Sequence, residues 1–176
     1  MQLPVLKWLA SPNFSERTEK LDLLVAHDCQ GSYLGSIETF MQAHTSNPVS
    51  AHIVLREDGK EATQMVGFGK KAWHDCSFNS ESIGLEMAGF EARGYADSEW
   101  QAEANMIAYL LHRYQIPVRW AKDGKGGGFC RHLDLGRLGG GHTDPTQDLA
   151  VWMNFVQRVE AAYNAGGFPA EPWGRD

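Results

Sequence analysis

The chain has 176 residues, 43% of them apolar, enough to bury one core and too few to build several domains. With 16 Lys and Arg against 22 Asp and Glu, the net charge is -6, which argues against a general nucleic-acid binder, whose affinity rests on positive charge meeting phosphate. No stretch approaches the roughly 18 apolar residues of a membrane span, the opening MQLPVLKWLASPNFS makes a poor signal peptide, and Cys29, Cys76 and Cys130 suit a reducing compartment, so the expectation is a cytoplasmic product without membrane association.

LDLLVAH, from Leu21 to Ala26, reads as a short buried strand that ends on the polar residues His27, Asp28 and Cys29. Tyr33–Gln42 follows as a short helix, with Leu34, Ile37 and Met41 spaced to share a face. The Asp58-Gly59 pair between Ala51–Leu55 and Glu61–Val66 predicts a hairpin, Gly59 supplying the positive φ. Ser82–Ala88 alternates as a further strand, with Ile83 and Leu85 on one side and Gly84, Glu86 and Ala88 on the other. Asp97 or Ser98 opens the clearest helix, Gln101 standing in the capping-box position and Ile107, Leu110, Leu111 and Tyr114 continuing its stripe. Val118-Arg119-Trp120 reads as an edge strand, Lys122–Gly128 as a glycine-rich loop, and Asp148–Tyr163 as the last helix, with Val151, Phe155 and Val159 on its apolar face. This order predicts one mixed α/β domain over residues 1–163, a central mixed sheet flanked by helices, and a partly ordered tail over residues 164–176.

Ligand-type side chains concentrate in two places. His27 closes the first buried strand, and CRHLDLGRLGGGHTDP brings His132, Asp134, His142 and Asp144 into one glycine-rich segment. A catalytic zinc ion takes three such ligands and leaves a fourth position open, so one ligand from a strand end and two from a distant loop is a workable set. The bland alternative is a polar loop held by Asp-to-backbone hydrogen bonds.

Five blocks in order, SPNFSER with LDLLVAHD, PVSAHIVLREDGK, KAWHDCSFNSESIGLEMAGF, CRHLDL and GHTDP, resemble the zinc-dependent N-acetylmuramoyl-L-alanine amidases. That family, the type 2 amidases, shares its fold with peptidoglycan recognition proteins and phage amidase lysozymes, and the resemblance spans about Ser11 to Val159. It implies one zinc ion held by His27, His132 and Asp144, and a peptidoglycan or soluble muropeptide substrate cut at the amide between the lactyl group of N-acetylmuramic acid and L-alanine. Glu86, matching the glutamate of the family's Ser-Ile-Gly-Ile-Glu strand, would serve as the acid–base group. His142 falls where the family usually has lysine and would stabilise charge on the tetrahedral intermediate, with a contribution that depends on pH.

The interval from His132 to Asp144 looks longer than in many muropeptide-recycling members, which opens a second register with His142 as the third ligand; Thr143-Asp144-Pro145 favours Asp144. A set of His27, Cys130 and His132 is a weaker alternative. Asp134 stands where it can orient a ligand imidazole. His52, Trp73, His74 and Asn79 are candidates for substrate contact, Trp73 and His52 having structural readings of equal standing. SPNFSER looks like the recycling branch and GGGHTDP like phage endolysins, so a monomeric endolysin-like amidase is the leading expectation, ahead of an anhydro-muropeptide amidase and of a non-catalytic muropeptide binder.

Overall fold

The sequence LLVAHD is apolar on both of its faces, and the strand it forms therefore belongs in the middle of a sheet. In the computed structural model, which describes residues 1–43 and 46–176, this strand is β3 (Leu23–Asp28), buried at every position. It lies in a six-stranded sheet with β1 (Val5–Trp8), β4 (Ile53–Leu55), β5 (Glu61–Gln64), β7 (Ser82–Met87) and β8 (Gly128–Arg131), in the order β1-β5-β4-β7-β3-β8. Only β4 and β5 pair antiparallel, across the Asp58-Gly59 hairpin, with Gly59 at φ 70°. β2 (Phe14–Glu16) and β6 (Lys70–Ala72) form a separate antiparallel ribbon.

Two helices, α2 (Asp97–Arg113) and α3 (Leu149–Ala165), cover one face of the sheet. Leu24, Ala26, Ile83, Leu85 and Met87 pack there against Ile107, Leu110, Leu111, Trp152 and Phe155. The shorter α1 (Tyr33–Phe40) covers part of the other face through Tyr33, Ile37 and Phe40, beside Val54 and Ala88. Among the described residues, no helix is long and apolar enough to cross a membrane.

Several sequence expectations need correction. In α1, Leu34 is 67% exposed, because a helix lying against a sheet through Tyr33, Ile37 and Phe40 turns position 34 outward. In α2 the cap position is Ala96, and Asp97 and Ser98 both lie inside the first turn, so Ser98 and Gln101 form no capping box. In α3, Val151 is exposed and Trp152 takes its place in the core. The segment Val118–Trp120 contributes a single bridge, Trp120 to Phe129, rather than a strand. The strands β1, β2 and β6 were not legible at all, since each is short and mostly exposed or half-buried. Residues beyond α3 pack against the domain: Trp173 donates its indole N–H to the Pro4 carbonyl, and Arg113 reaches the carbonyls of Trp173 and Gly174.

One buried feature of α2 has a thermodynamic consequence. Glu103 has no exposed surface and neither of its carboxylate oxygens has a partner; Glu99, one turn earlier, is 1% exposed with Oε1 unpartnered. Burial pushes Glu99 up to about 8 and Glu103 well above the ordinary value. Acidic neighbours add to this shift: Glu57, Asp58 and Asp28 for Glu99, and Glu99, Glu86 and Asp28 for Glu103. The folded state therefore keeps protons that the unfolded chain releases as pH rises past the ordinary glutamate range, and stability falls as pH rises towards the folded values. Glu103→Gln should raise the melting temperature near about pH 8 and change it little near about pH 4. Thermal melts across that range check this; an equal shift at both ends would count against a protonated Glu103.

Candidate metal centre

The centre sits where three neighbouring parallel strands end. β3 pairs with β7 so that His27 lies opposite Glu86, and β3 pairs with β8 so that Ala26 lies opposite Arg131, one residue before His132. Alternation along each strand then sets direction. Leu24 and Ala26 face α2 and α3, so His27 and Glu86 face the opposite side, where a cleft of about 300 Å³ opens. Crevices at the carboxyl ends of parallel strands are where such sheets bind ligands.

His27 Nδ1 and His132 Nδ1 are 3.0 Å apart, His27 Nδ1 is 3.3 Å from Asp144 Oδ2, and His132 Nδ1 is 3.1 Å from Asp144 Oδ1. All three residues are buried, and they form the one such cluster of metal-ligating atoms among the described residues. Tetrahedral ligands at ordinary zinc distances stand about 3.3 Å from one another, close to this spacing.

The hydrogen bonds behind the two rings assign their protons. His132 Nε2 is 2.6 Å from the Gly139 carbonyl, which can only accept, so a neutral His132 carries its proton on Nε2 and turns the Nδ1 lone pair inward. His27 Nε2 lies 2.9 Å from His74 Nδ1, and His74 Nε2 lies 3.2 Å from Ser82 Oγ. Ser82 Oγ itself stands 2.8 Å from both Asp75 Oδ2 and the Phe78 carbonyl, leaving its lone pairs for His74. Donation along this chain leaves His27 Nδ1 free of hydrogen as well. Burial, followed by the neighbouring His132, pushes the His27 pKa down to about 4, and burial drives His74 well below its ordinary value, so both rings are neutral. Two lone pairs and a carboxylate thus converge on one point, an arrangement that suits a cation. Burial alone would raise Asp144, but hydrogen bonds from the His132 and His27 rings when Nδ1 carries a proton hold it well below the usual carboxylate range, and Asp144 in turn outweighs burial and raises the His132 pKa, so a cation bound here would take the place of that proton.

Glu86 is a further buried group in the cleft. Its Oε2 has no partner, and burial followed by the charges of Asp144 and Asp28 raises its pKa well above the ordinary value. The outer walls come from Ser36, Thr39, Phe40, Val49 and Trp73.

The other candidates separate clearly. His142 lies at the cleft mouth, its side chain 61% exposed, its ring stacked on His132 at 4.4 Å, and its Nδ1 3.9 Å from Asp144 Oδ1. Trp73 lines the cleft with its indole N–H tied to Ser15 Oγ at 3.1 Å. His74 borders the cleft, but its side chain is 1% exposed and stands behind His27. His52 is likewise turned inward with no exposed surface; Gly84 N–H donates to its Nδ1 and its Nε2 meets the Lys70 carbonyl. Asn79 uses Oδ1 to accept the backbone N–H groups of His74 and Asp75, which shapes the loop rather than the cleft wall. Asp134 does not orient a ligand: it pairs with Arg131 at 2.7 Å and accepts the Trp120 indole N–H. Cys130 is buried among Leu23, Val25 and Leu135 and lies outside the cluster.

The Gly139 carbonyl and the His74 relay were not anticipated from sequence. A usable sign of the second was Gly84 between Ile83 and Leu85, since glycine inside a strand marks a close approach. A Cβ on Gly84 would stand 2.5 Å from His74 Nδ1.

The N-acetylmuramoyl-L-alanine amidase family matches over residues 17–147, and the chain belongs to that family. It is 36% identical over 119 residues to N-acetylmuramoyl-L-alanine amidase A of Achromobacter lyticus, covering 66% of each chain. It is 39% identical over 74 residues to the 1,6-anhydro-N-acetylmuramyl-L-alanine amidase AmpD of Citrobacter freundii, covering 38% of this chain and 39% of the relative. The chain thus spans less than two thirds of the length of either relative. In fold it is similar to the Staphylococcus aureus hydrolase AmiA, with a TM-score of 0.73 at 17% identity, covering 98% of this chain and 90% of the other.

Gly84→Ala should displace the His74 ring and weaken metal binding by about 10–100-fold, the usual loss when the group behind a ligand imidazole is removed. Competition against a chelating dye measures this. Unchanged affinity would mean that His27 keeps its orientation without His74.

Proposed function

We propose that the protein is a zinc-dependent N-acetylmuramoyl-L-alanine amidase, hydrolysing the amide between the lactyl group of N-acetylmuramic acid and L-alanine. The observation that carries this reading is the convergence of His27, His132 and Asp144 beside the Glu86 carboxylate, whose Oε2 has no partner, in an open cleft. Two imidazoles and one carboxylate match zinc chemistry, and three protein ligands leave room for a substrate, whereas a structural zinc site closes all four positions. The names of the Achromobacter and Citrobacter relatives support the same bond specificity.

Zinc bound there would supply Lewis acidity and bring the pKa of a coordinated water towards neutrality. The chain's own residues do the rest. A cation held beside Glu86 would offset the burial and the acidic neighbours that oppose its ionisation, and the carboxylate so ionised takes a proton from the attacking water and returns it to the departing alanine nitrogen, with Oε2 free to do so. His142, at the cleft mouth beside His132, offers an N–H to the oxygen that becomes negative as the carbonyl carbon turns tetrahedral. Trp73, with its indole N–H already tied to Ser15, presents a fixed apolar face for a sugar ring or a peptide.

A muropeptide binder of the same fold has no use for a water-activating carboxylate, so Glu86 favours the hydrolase. Two settings follow for the substrate: the intact wall, as for an endolysin, and soluble anhydro-muropeptides, the reading favoured by the AmpD relative. Digesting sacculi and anhydro-muropeptides in parallel, with and without chelator, decides between them. New L-alanine amino termini should appear and should vanish with chelator; much faster cleavage of the anhydro-muropeptide would reject the endolysin setting. Glu86→Gln should retain zinc while turnover falls by about 100-fold or more. Turnover at the wild-type rate would reject its acid–base role.

A further inference from the structure

His27 and His132 are carried at strand ends, but Asp144 lies in the irregular segment between Gly140 and α3. A ligand on such a segment keeps its geometry only if neighbouring groups hold the segment, because loop-borne sites are less precise than strand-borne ones. Some of that support is local: the Asp144 carbonyl accepts the Leu133 N–H at 3.1 Å, and the Thr146 carbonyl accepts from Arg131 at 3.2 Å.

The remaining support comes from a quarter that the proposed chemistry does not use. Asp28, the last residue of β3, donates its backbone N–H to Asp144 Oδ2 at 3.2 Å. Its buried carboxylate points the other way and gathers the turn after β7. Oδ2 accepts the Glu91 N–H at 3.0 Å and the Tyr95 hydroxyl, while Oδ1 accepts the Gln30 N–H at 3.2 Å and its side-chain amide at 2.7 Å. Glu91 Oε1 in turn accepts the Gln147 N–H at 2.6 Å, three residues beyond Asp144. The circuit is closed: β3, the Glu91–Tyr95 turn and the Asp144–Gln147 segment hold one another in place.

We propose that Asp28, Glu91 and Tyr95 act as positioning residues for the third metal ligand, fixing Asp144 through this circuit. The proposal rests on the reading of Asp144 as a metal ligand, and none of the three residues needs to touch the ion or the substrate. Tyr95 is the cleanest point of attack, since its ring packs edge-on against Trp100 at 5.4 Å and Phe can keep that contact while losing the hydroxyl.

The test uses the full chain loaded with zinc and follows release of the ion to a chelating dye. Tyr95→Phe and Glu91→Ala should each speed release by about tenfold, the lower end of losses seen when groups behind a ligand are removed. Glu91→Gln, which keeps a carbonyl oxygen for the Gln147 N–H, should release zinc at nearly the wild-type rate. Melting temperatures of the zinc-free proteins should stay close to wild type in all three. Wild-type release rates in both Tyr95→Phe and Glu91→Ala would overturn the proposal. It would also fall if Glu91→Gln were as fast as Glu91→Ala, or if faster release only tracked a general loss of stability. Failure of the wild-type protein to take up zinc would remove the metal reading itself, an outcome separate from a loaded centre that ignores these variants.

Discussion

The whole arrangement depends on holding two imidazole nitrogens and a carboxylate within about 3 Å of one another. Left alone, these groups repel or re-protonate. The fold prevents this by committing the far nitrogen of each ring. The Gly139 carbonyl fixes His132, and the His74–Ser82 chain fixes His27, each consuming the only proton that a neutral imidazole owns.

Sheet topology explains why that geometry is reached by residues so distant in sequence. Strands β7, β3 and β8 run parallel and adjacent, so their carboxyl ends lie together, and register decides which residues face one another. A slip of one residue in β3 would turn His27 towards α2 and present Asp28 to the cleft. Burial on both faces makes such a slip costly: Leu24 and Ala26 fill the side against α2 and α3, while Leu23 and Val25 fill the other with Cys130 and Phe78. The packing that stabilises the domain is thus the same packing that aims the ligands.

Sequence reasoning reached the features that follow from local pattern. The β3 strand, the Asp58-Gly59 hairpin, the β7 strand with Glu86 opposite Ile83 and Leu85, and the two long helices all declare themselves through alternation, turn chemistry or helical spacing. The cluster of His27, His132 and Asp144 was legible because the chain concentrates ligand-type residues at a strand end and in one glycine-rich segment. What was hidden depends on long-range contact. The edge strand β1 exists because β5 offers it a partner, and its own residues are mostly exposed, so no apolar pattern marks it. The tail beyond α3 is held by Pro4 and Arg113, more than fifty residues away in sequence. Asp134, two residues from His132, looked like a partner for that ring; a backbone carbonyl took the position, and Arg131 took the aspartate.

The histidines show why residue type alone could not sort the site. His52 accepts the Gly84 N–H on one nitrogen and meets the Lys70 carbonyl with the other, so it has nothing left to offer a ligand. His74 accepts from His27 and donates to Ser82, and is equally spent. His27 and His132 each satisfy one nitrogen within the protein and keep the other lone pair for the same point in space. His142 stays largely exposed, stacked on the face of His132. Five rings of identical chemistry thereby differ in how many nitrogens the surrounding backbone and side chains have already claimed, and that count exists only once the strands are paired.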